Sequence, residues 1–292
     1  MNPEQTRHPE NSRSRMQILV TLNKNYMPQL KVLLTSIHTS HPEESPDIWL
    51  MHSGIPDDLL ASAGRLCRLY GFGFHPVLIY GAFFKDAPVS RQYPREMYYR
   101  LLAGSLLPED LHRILYLDPD ILVINPLRPL WETDMKGMLF AAAAHTGKTD
   151  LASNINQLRL GTDHDYYNSG VLLIDLDMAG KEITAEEIFR YTKEHGKELL
   201  LPDQDLLNIL YGQRTLALDD SIWNYDARNY NTYLLKSSGL CNMDWVMQNT
   251  SVLHFCGKLK PWQAGYIHRF GILYKHYMQL THRAEQHTTS SL

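Results

Sequence analysis

Between Met16 and Asp118 the chain alternates short apolar runs with stretches of helical periodicity, and no other feature of the sequence restricts the fold as much. MQILVTL, residues 16–22, reads as a buried strand. Asn23-Lys24-Asn25 breaks it, and Pro28 suits the first turn of a helix whose Leu30, Leu33, Leu34 and Ile37 form one apolar stripe. His41-Pro42 ends that helix, and residues 47–53 supply a second strand. Residues 56–70 read as a helix with Leu59, Leu60, Ala63, Leu66 and Leu69 on one side. The turn Gly71-Phe72-Gly73 leads into a third strand, residues 74–80. Pro94 then opens a helix carrying Met97, Tyr98, Leu101 and Leu102, and ILYLD, residues 114–118, is a fourth strand. This spacing predicts a mostly parallel sheet with helices on both faces. Sheets of that kind bind ligands beyond the carboxyl ends of their strands, which directs attention to the loops after Leu22, His52 and Leu117. Past residue 135 the pattern loosens, with strands expected near 138–143, 171–175 and 252–255 and helices near 185–195, 203–210 and 266–280.

Neither a repeat nor a linker-like stretch interrupts the 292 residues, so they read as one α/β domain with irregular insertions. A chain of this size buries enough surface to need no disulfide or metal staple. Residues 1–15 and 287–292 lack apolar periodicity and read as flexible ends. The start is polar, without the apolar core of a secretory signal, and no run approaches the roughly 20 apolar residues that cross a bilayer. Cys67, Cys241 and Cys256 are odd in number and unpatterned, as expected of a protein in a reducing cytoplasm. Twenty-eight Lys and Arg against 32 Asp and Glu give a net charge of −4, which argues against a dedicated nucleic-acid binder.

Two nucleotide signatures fail on inspection. Gly71-Phe72-Gly73 meets Pro76 where a dinucleotide fingerprint needs glycine, and Gly147-Lys148-Thr149 meets Ala142 where a phosphate loop needs its opening glycine. Asp118-Pro119-Asp120 is more informative. Carboxylates at i and i+2 leaving a strand point the same way and can share a divalent cation with a phosphate. Four such pairs occur, at 118/120, 163/165, 175/177 and 203/205, and most Asp-x-Asp pairs are solvated turns or caps. Only Asp118 follows one continuous apolar strand (ILYL) and precedes another (ILVI). That context crowds two negative charges into a strand-end crevice, which is costly without a cation.

Further candidates lie downstream. VLHFCGKLKPW places His254 at a strand end with Gly257 and Lys260 close behind: a nitrogen ligand for Mn2+ or Zn2+, a position open to close backbone approach, and a point charge for phosphate. The bland alternative is a core histidine beside a surface loop. In YYNSGVLLIDL, Asn168 stands just before a buried strand. In LPDQDLLNIL, Asp203 and Asp205 suit the cap and first turn of a helix, which leaves Gln204 without a reason. Arg100 emerges from an apolar helix in REMYYRLLAGSLLP.

Taken in order, TLNKNYMPQLKVLLTSI, YYRLLAGSLLP, ILYLDPDILVINPLRPLW, YYNSGVLLIDL, DQDLLN and HFCGKLKPW resemble glycosyltransferase family 8, over residues 18–262. The family comprises retaining nucleotide-sugar transferases, among them bacterial lipooligosaccharide galactosyl- and glucosyltransferases and glycogenin. The resemblance implies a type A glycosyltransferase fold, a Rossmann-like mixed sheet with helices on both faces, over residues 16–265, followed by a C-terminal helix and tail, 266–292. It implies that Asp118, Asp120 and His254 bind Mn2+ (or Mg2+), which bridges the phosphates of a UDP-sugar. Thr21, Asn23, Asn25, Tyr26 and Arg100 would bind the sugar nucleotide, Gly257 and Lys260 would close over the diphosphate, and Asn168, Asp203 and Gln204 would surround the transferred sugar. Asp203 and Gln204 would stabilise an oxocarbenium-like transition state there. The implied reaction moves glucose or galactose to a glycan or glycolipid acceptor in the cytoplasm.

The chain departs from the family in two places. The usual acidic pair after the first strand is here Asn23-Lys24, and His145 stands where some members carry an acidic sugar-binding residue. The C-terminal stretch GYIHRFGILYKHYMQLTHR reads first as a helix packed on the domain with a basic outer face. The same Arg269, Lys275 and Arg283 also suit peripheral contact with an anionic membrane. Two other functions compete. A haloacid-dehalogenase-type phosphohydrolase also places Asp-x-Asp after a strand but expects Thr or Val where this chain has Leu122, and a catalytically inactive sugar-nucleotide binder or scaffold would have no use for three costly polar clusters.

Overall fold

The computed structural model describes residues 14–80, 96–144 and 157–290. Pro94, His145 and Gly147 to Thr149, with most of the N-terminal segment, lie outside the described residues. A seven-stranded sheet runs through the centre in the order β3-β2-β1-β4-β7-β6-β8. Its strands are β1 (Gln17–Thr21), β2 (Asp47–His52), β3 (Gly73–Leu78), β4 (Arg113–Leu117), β6 (Phe140–Ala144), β7 (Tyr167–Asp175) and β8 (Thr215–Leu218). The first four are parallel, β7 runs antiparallel to both β4 and β6, and β8 is parallel to β6. Alternation along each strand divides the core in two. Ile18, Val20, Leu115, Leu117, Val171 and Leu173 pack on one side with α1 (Met27–Ser40) and α2 (Asp57–Leu69). Leu19, Ile114, Tyr116, Leu172 and Ile174 pack on the other with Tyr98, Leu102 and Leu206.

The expected helix-covered mixed sheet is therefore present, and beside it lies a second sheet that the sequence reading does not separate out. It contains β5 (Ile121–Val123), β10 (Val252–His254) and β9 (Tyr225–Asp226), in the order β5-β10-β9. Its strands are two or three residues long and carry no periodicity to detect. The chain leaves the large sheet at Leu117 and enters the small one at Ile121, so Asp118-Pro119-Asp120 forms the hand-off between them. His254 is the last residue of β10, in register with Ile121 of β5. Two strand-end positions distant in sequence are thereby brought to one corner.

Two boundaries move for physical reasons. Strand β7 begins at Tyr167 rather than near 171, because the pairing of Ala144 with Tyr167 past a bulge carries the ladder through Asn168-Ser169-Gly170. The C-terminal helix spans Gly271–Ser290 rather than starting at 266, because Tyr266 and Phe270 turn into the aromatic cluster around Phe255, Tyr225 and Tyr274. It packs on α1 through buried Tyr274, Tyr277 and Thr281, the last bonded to Thr35, and turns Lys275, His276, His282 and Arg283 to solvent. Among the described residues no helix is long and apolar enough to cross a membrane.

The helix Pro202–Tyr211 corrects one local expectation. Its N-cap residue is Leu201, without a side-chain cap, so Asp203 does not cap it. Asp205 secures the segment instead. Its carboxylate is fully buried and accepts from the backbone of Leu200 (2.7 Å) and Leu201 (3.2 Å), from Tyr166 Oη (2.5 Å), and from Arg159 at 2.7 and 3.0 Å. Removing it takes the carboxylate from the Arg159 guanidinium, the Tyr166 hydroxyl and two backbone donors. Asp205→Ala should lower the unfolding free energy by about 3 kcal/mol. This would be read as a reduced denaturant midpoint at unchanged m-value.

Candidate active site

A cleft of about 350 Å3 opens at the carboxyl ends of β1 and β4, lined among others by Thr21, Tyr26, Arg100, Asp118, Asp120 and Asp203. It lies where the parallel half of the sheet predicts a ligand. Asp118, Asp120 and His254 offer three ligand atoms that all lie within 4.8 Å of one another. His254 Nε2 stands 3.3 Å from Asp120 Oδ1 and 3.7 Å from Asp118 Oδ2. Asp120 and His254 are buried, 8% and 4% exposed, so neither charge is screened by bulk water.

Cations answer these acids. Lys260 Nζ bonds Asp120 Oδ2 and, at 2.9 Å, the carbonyl of Phe255. Burial alone would push the Asp120 carboxyl up, but His254 and Lys260 outweigh it and hold Asp120 well below the usual carboxylate range. For His254, burial disfavours the imidazolium, yet the neighbouring Cys256 sulfur and the Asp120 carboxylate raise its pKa well above the ordinary histidine value. The donor set of two carboxylates and one imidazole suits Mn2+ or a similar divalent ion. The positive charge that Lys260 and His254 supply here is what a bound cation would replace.

Arg100 ties this corner to the far wall of the cleft. Its Nη1 lies 3.0 Å from Asp118 Oδ1 and 3.2 Å from Asp203 Oδ2, and donates to the carbonyl of Ser169 at 3.0 Å. The guanidinium rests over the Tyr116 ring, 4.4 Å from its centroid. Tyr116 Oη donates to Asp118 Oδ1 at 2.5 Å and meets Thr21 Oγ1 at 3.4 Å. Asp203 also accepts from Ser169 Oγ at 3.0 Å. Thus Thr21, Arg100, Asp118, Asp120, His254, Lys260 and Asp203 converge.

Other expected site residues are placed differently. Asn23 lines the cleft, but its side chain accepts from Asn25 N at 3.0 Å and caps the turn Lys24–Tyr26. Asn25 is exposed on that turn, while Tyr26 faces the cleft and meets Trp262 edge-on at 6.2 Å. Asn168 and Gln204 are bonded to each other, Nδ2 to Oε1 at 2.9 Å, and Gln204 is buried behind Asp203 in the first turn of its helix. At Gly257, with φ of +90°, a Cβ would lie 2.4 Å from Arg228 Nη1, so the backbone approach there is to a side chain of this protein.

Sequence reasoning misses Gly170, Tyr116 and Asn224. Tyr116 had a signal, since it shares a face of β4 with Asp118 two residues on. Gly170 had only its place before an apolar strand. A Cβ at Gly170 would sit 2.3 Å from His254 Cε1 and 2.8 Å from Asp118 Oδ2, so the missing side chain is the space in which the two ligands meet. Gly170→Ala should fold and lose Mn2+ affinity by about tenfold or more, measured by titration followed by electron paramagnetic resonance. Wild-type affinity in that variant would show that the ligands need no such space.

The family model of glycosyl transferase family 8 matches residues 17–265. General stress protein A of Bacillus subtilis is 27% identical over 274 residues, covering 91% of this chain and 94% of its own. Lipopolysaccharide 1,2-glucosyltransferase of Escherichia coli is 25% identical over 250 residues, covering 82% and 71%. The crystal structure of the galactosyltransferase LgtC, in complex with donor and acceptor sugar analogs, superposes with a TM-score of 0.76 at 21% identity, covering 91% of this chain and 96% of LgtC, and so shares the fold. With a family match across most of its length, this chain belongs to glycosyl transferase family 8 and is a glycosyltransferase.

Proposed function

We propose that the protein transfers a hexose, glucose or galactose, from a UDP-sugar to a glycan or glycolipid acceptor in the cytoplasm, with retention at the anomeric carbon and dependence on Mn2+ or Mg2+. The observation that carries this reading is the cluster of Asp118, Asp120 and His254 at the mouth of a strand-end cleft, with Lys260 on the same carboxylate. When bound, the divalent ion would supply Lewis-acid neutralisation of the departing diphosphate. Lys260, bonded to Asp120 and to the Phe255 carbonyl, is an ammonium that would exchange that carboxylate for phosphate. Arg100 is held in place by Asp118 and Asp203, an oriented charge for the sugar nucleotide.

Thr21, Asn23, Asn25 and Tyr26 surround the end of β1, a position suited to the nucleoside, with Trp262 supporting the Tyr26 ring. Across the cleft, Asp203 presents negative charge where an oxocarbenium-like sugar would develop positive charge, and Asn168 and Gln204 lie behind it. Gly257 gives the loop carrying Lys260 its turn, which lets that loop close over the diphosphate. The relatives named for lipopolysaccharide synthesis favour a glycolipid acceptor, and the solvent-facing Lys275, His282 and Arg283 of the C-terminal helix suit an anionic surface near it.

Calorimetric titration of UDP with and without Mn2+ tests the metal-bridged site. UDP should bind with Mn2+ and fail to bind measurably without it, and Asp120→Ala should weaken binding at least about 100-fold, near 2.7 kcal/mol. Metal-independent UDP binding, unchanged in that variant, would sink the reading. Turnover of UDP-glucose and UDP-galactose then selects the donor and separates a transferase from an inactive binder. A pH effect follows from His254. Its raised pKa means that Nε2 holds a proton at neutral pH until the ion displaces it. Mn2+ binding at pH 7 should release about one proton, seen as a dependence of the heat on buffer ionisation enthalpy, and affinity should rise as pH climbs.

A further inference from the structure

A line of polar side chains, buried except at half-buried Asn168, runs from the ligand cluster to the far side of the cleft. His254 Nδ1 lies 2.9 Å from Asn224 Oδ1, Asn224 Nδ2 lies 2.9 Å from Asn168 Oδ1, and Asn168 Nδ2 lies 2.9 Å from Gln204 Oε1. Asn224 has no exposed surface at all. A buried amide is tolerated only while it is bonded, since each orphaned group costs about 1–3 kcal/mol.

The direction of this line is fixed by one group that has no choice. The backbone N–H of Gly170 can only donate, and it donates to Asn168 at 2.9 Å. The side-chain oxygen of Asn168 must therefore face Gly170, and that same oxygen must take the nitrogen of Asn224. Asn224 is then obliged to turn its own oxygen to His254. An oxygen at 2.9 Å requires a proton on Nδ1. A neutral imidazole protonated there presents an unprotonated Nε2 to Asp118 and Asp120, the only form in which that nitrogen can ligate a cation. At the opposite end, the nitrogen of Asn168 is committed to Gln204 and sets which way its amide is turned.

We propose that Asn224 is a positioning residue of the transferase: anchored through Asn168 to the Gly170 backbone, it holds His254 in its ligating tautomer, and the same hydrogen-bond sequence fixes the amide of Gln204. The inference deepens the metal-dependent reading above and rests on it. With the opposite tautomer, two acceptors would face each other at the Asn224–His254 contact while an N–H pointed into the ligand cluster. Once Nε2 has given up its proton to an arriving ion, one anchored amide excludes both errors.

Mn2+ titration of the nucleotide-free protein, followed by electron paramagnetic resonance, tests this without reference to turnover. Asn224→Ala removes the acceptor and should weaken Mn2+ binding by roughly 10- to 100-fold. Asn224→Asp keeps an acceptor on His254 and should retain affinity near wild type, although it loses the donor to Asn168. Asn168→Asp still accepts from Gly170 and Asn224 but offers Gln204 an acceptor where it had a donor, which turns that amide the other way, so it should keep Mn2+ and lose kcat. Wild-type Mn2+ affinity in Asn224→Ala, or equal losses in the Ala and Asp variants, would overturn the proposal by showing that the acceptor is immaterial. Should Asn224→Ala not fold, long-range 1H–15N correlation on the Zn2+-loaded wild type decides. A protonated Nδ1 with metal on Nε2 is expected, and the reverse overturns the proposal. A wild-type protein that binds no divalent ion overturns the metal site itself, and this inference with it.

Discussion

Two carboxylates forced together where a strand leaves its sheet are the constraint on which the rest of this site depends. Asp118 and Asp120 cannot be solvated freely, because ILYL before them and ILVI after them are core strands. Their charge has to be met locally, and several polar placements around the cleft follow from that need. Arg100 is drawn beneath Asp118 and shared with Asp203, Lys260 reaches back to Asp120, and His254 closes the third side. Each partner belongs to a different segment of the chain, so satisfying two acids assembles a site from residues distant in sequence. Asp118, Asp120 and His254 could hold a cation in this corner, whose direct ligation would stand in for several of these ion pairs.

Much of this was legible in the sequence, and the reasons are specific. β1, β2 and β4 announce themselves because buried parallel strands are continuously apolar. The helix Ala185–His195 announces itself through its polar–apolar period and its Thr184 cap. Asp118 and Asp120 could be chosen from four similar pairs because only they are bracketed by core strands. What stayed hidden depends on contacts without a local signature. β8 and β9 are too short to show a period, and Asn224 follows a tryptophan in a loop-like stretch. Its meaning comes only from the neighbours that folding supplies. The placement of Asp203 and Asp205 shows the same limit. Both are acids in a helix's first turn, yet one faces Arg100 in the cleft and the other is buried under Arg159.

Membership in glycosyl transferase family 8 and the geometry of the cleft bear on different questions. The family match says that the chain is a glycosyltransferase, and the arrangement of charges says how such a chemistry can be housed here. The departure at Asn23-Lys24 is instructive in this respect. An amide stands where an acid is usual, and its oxygen accepts from Asn25 and caps its own turn, while Tyr26 faces the cleft beside it.

The hand-off between the two sheets has a mechanical consequence. Asp118 and Asp120 lie on the three-residue bridge from the large sheet to the small one, and His254 ends a strand of the small sheet. An ion held by all three would act as a rivet through the seam, joining at their ends two sheets that already share the core around Ile121, Val123 and Val252. Loading the protein would then stiffen the end of the small sheet, and stripping it would leave that end to fray first.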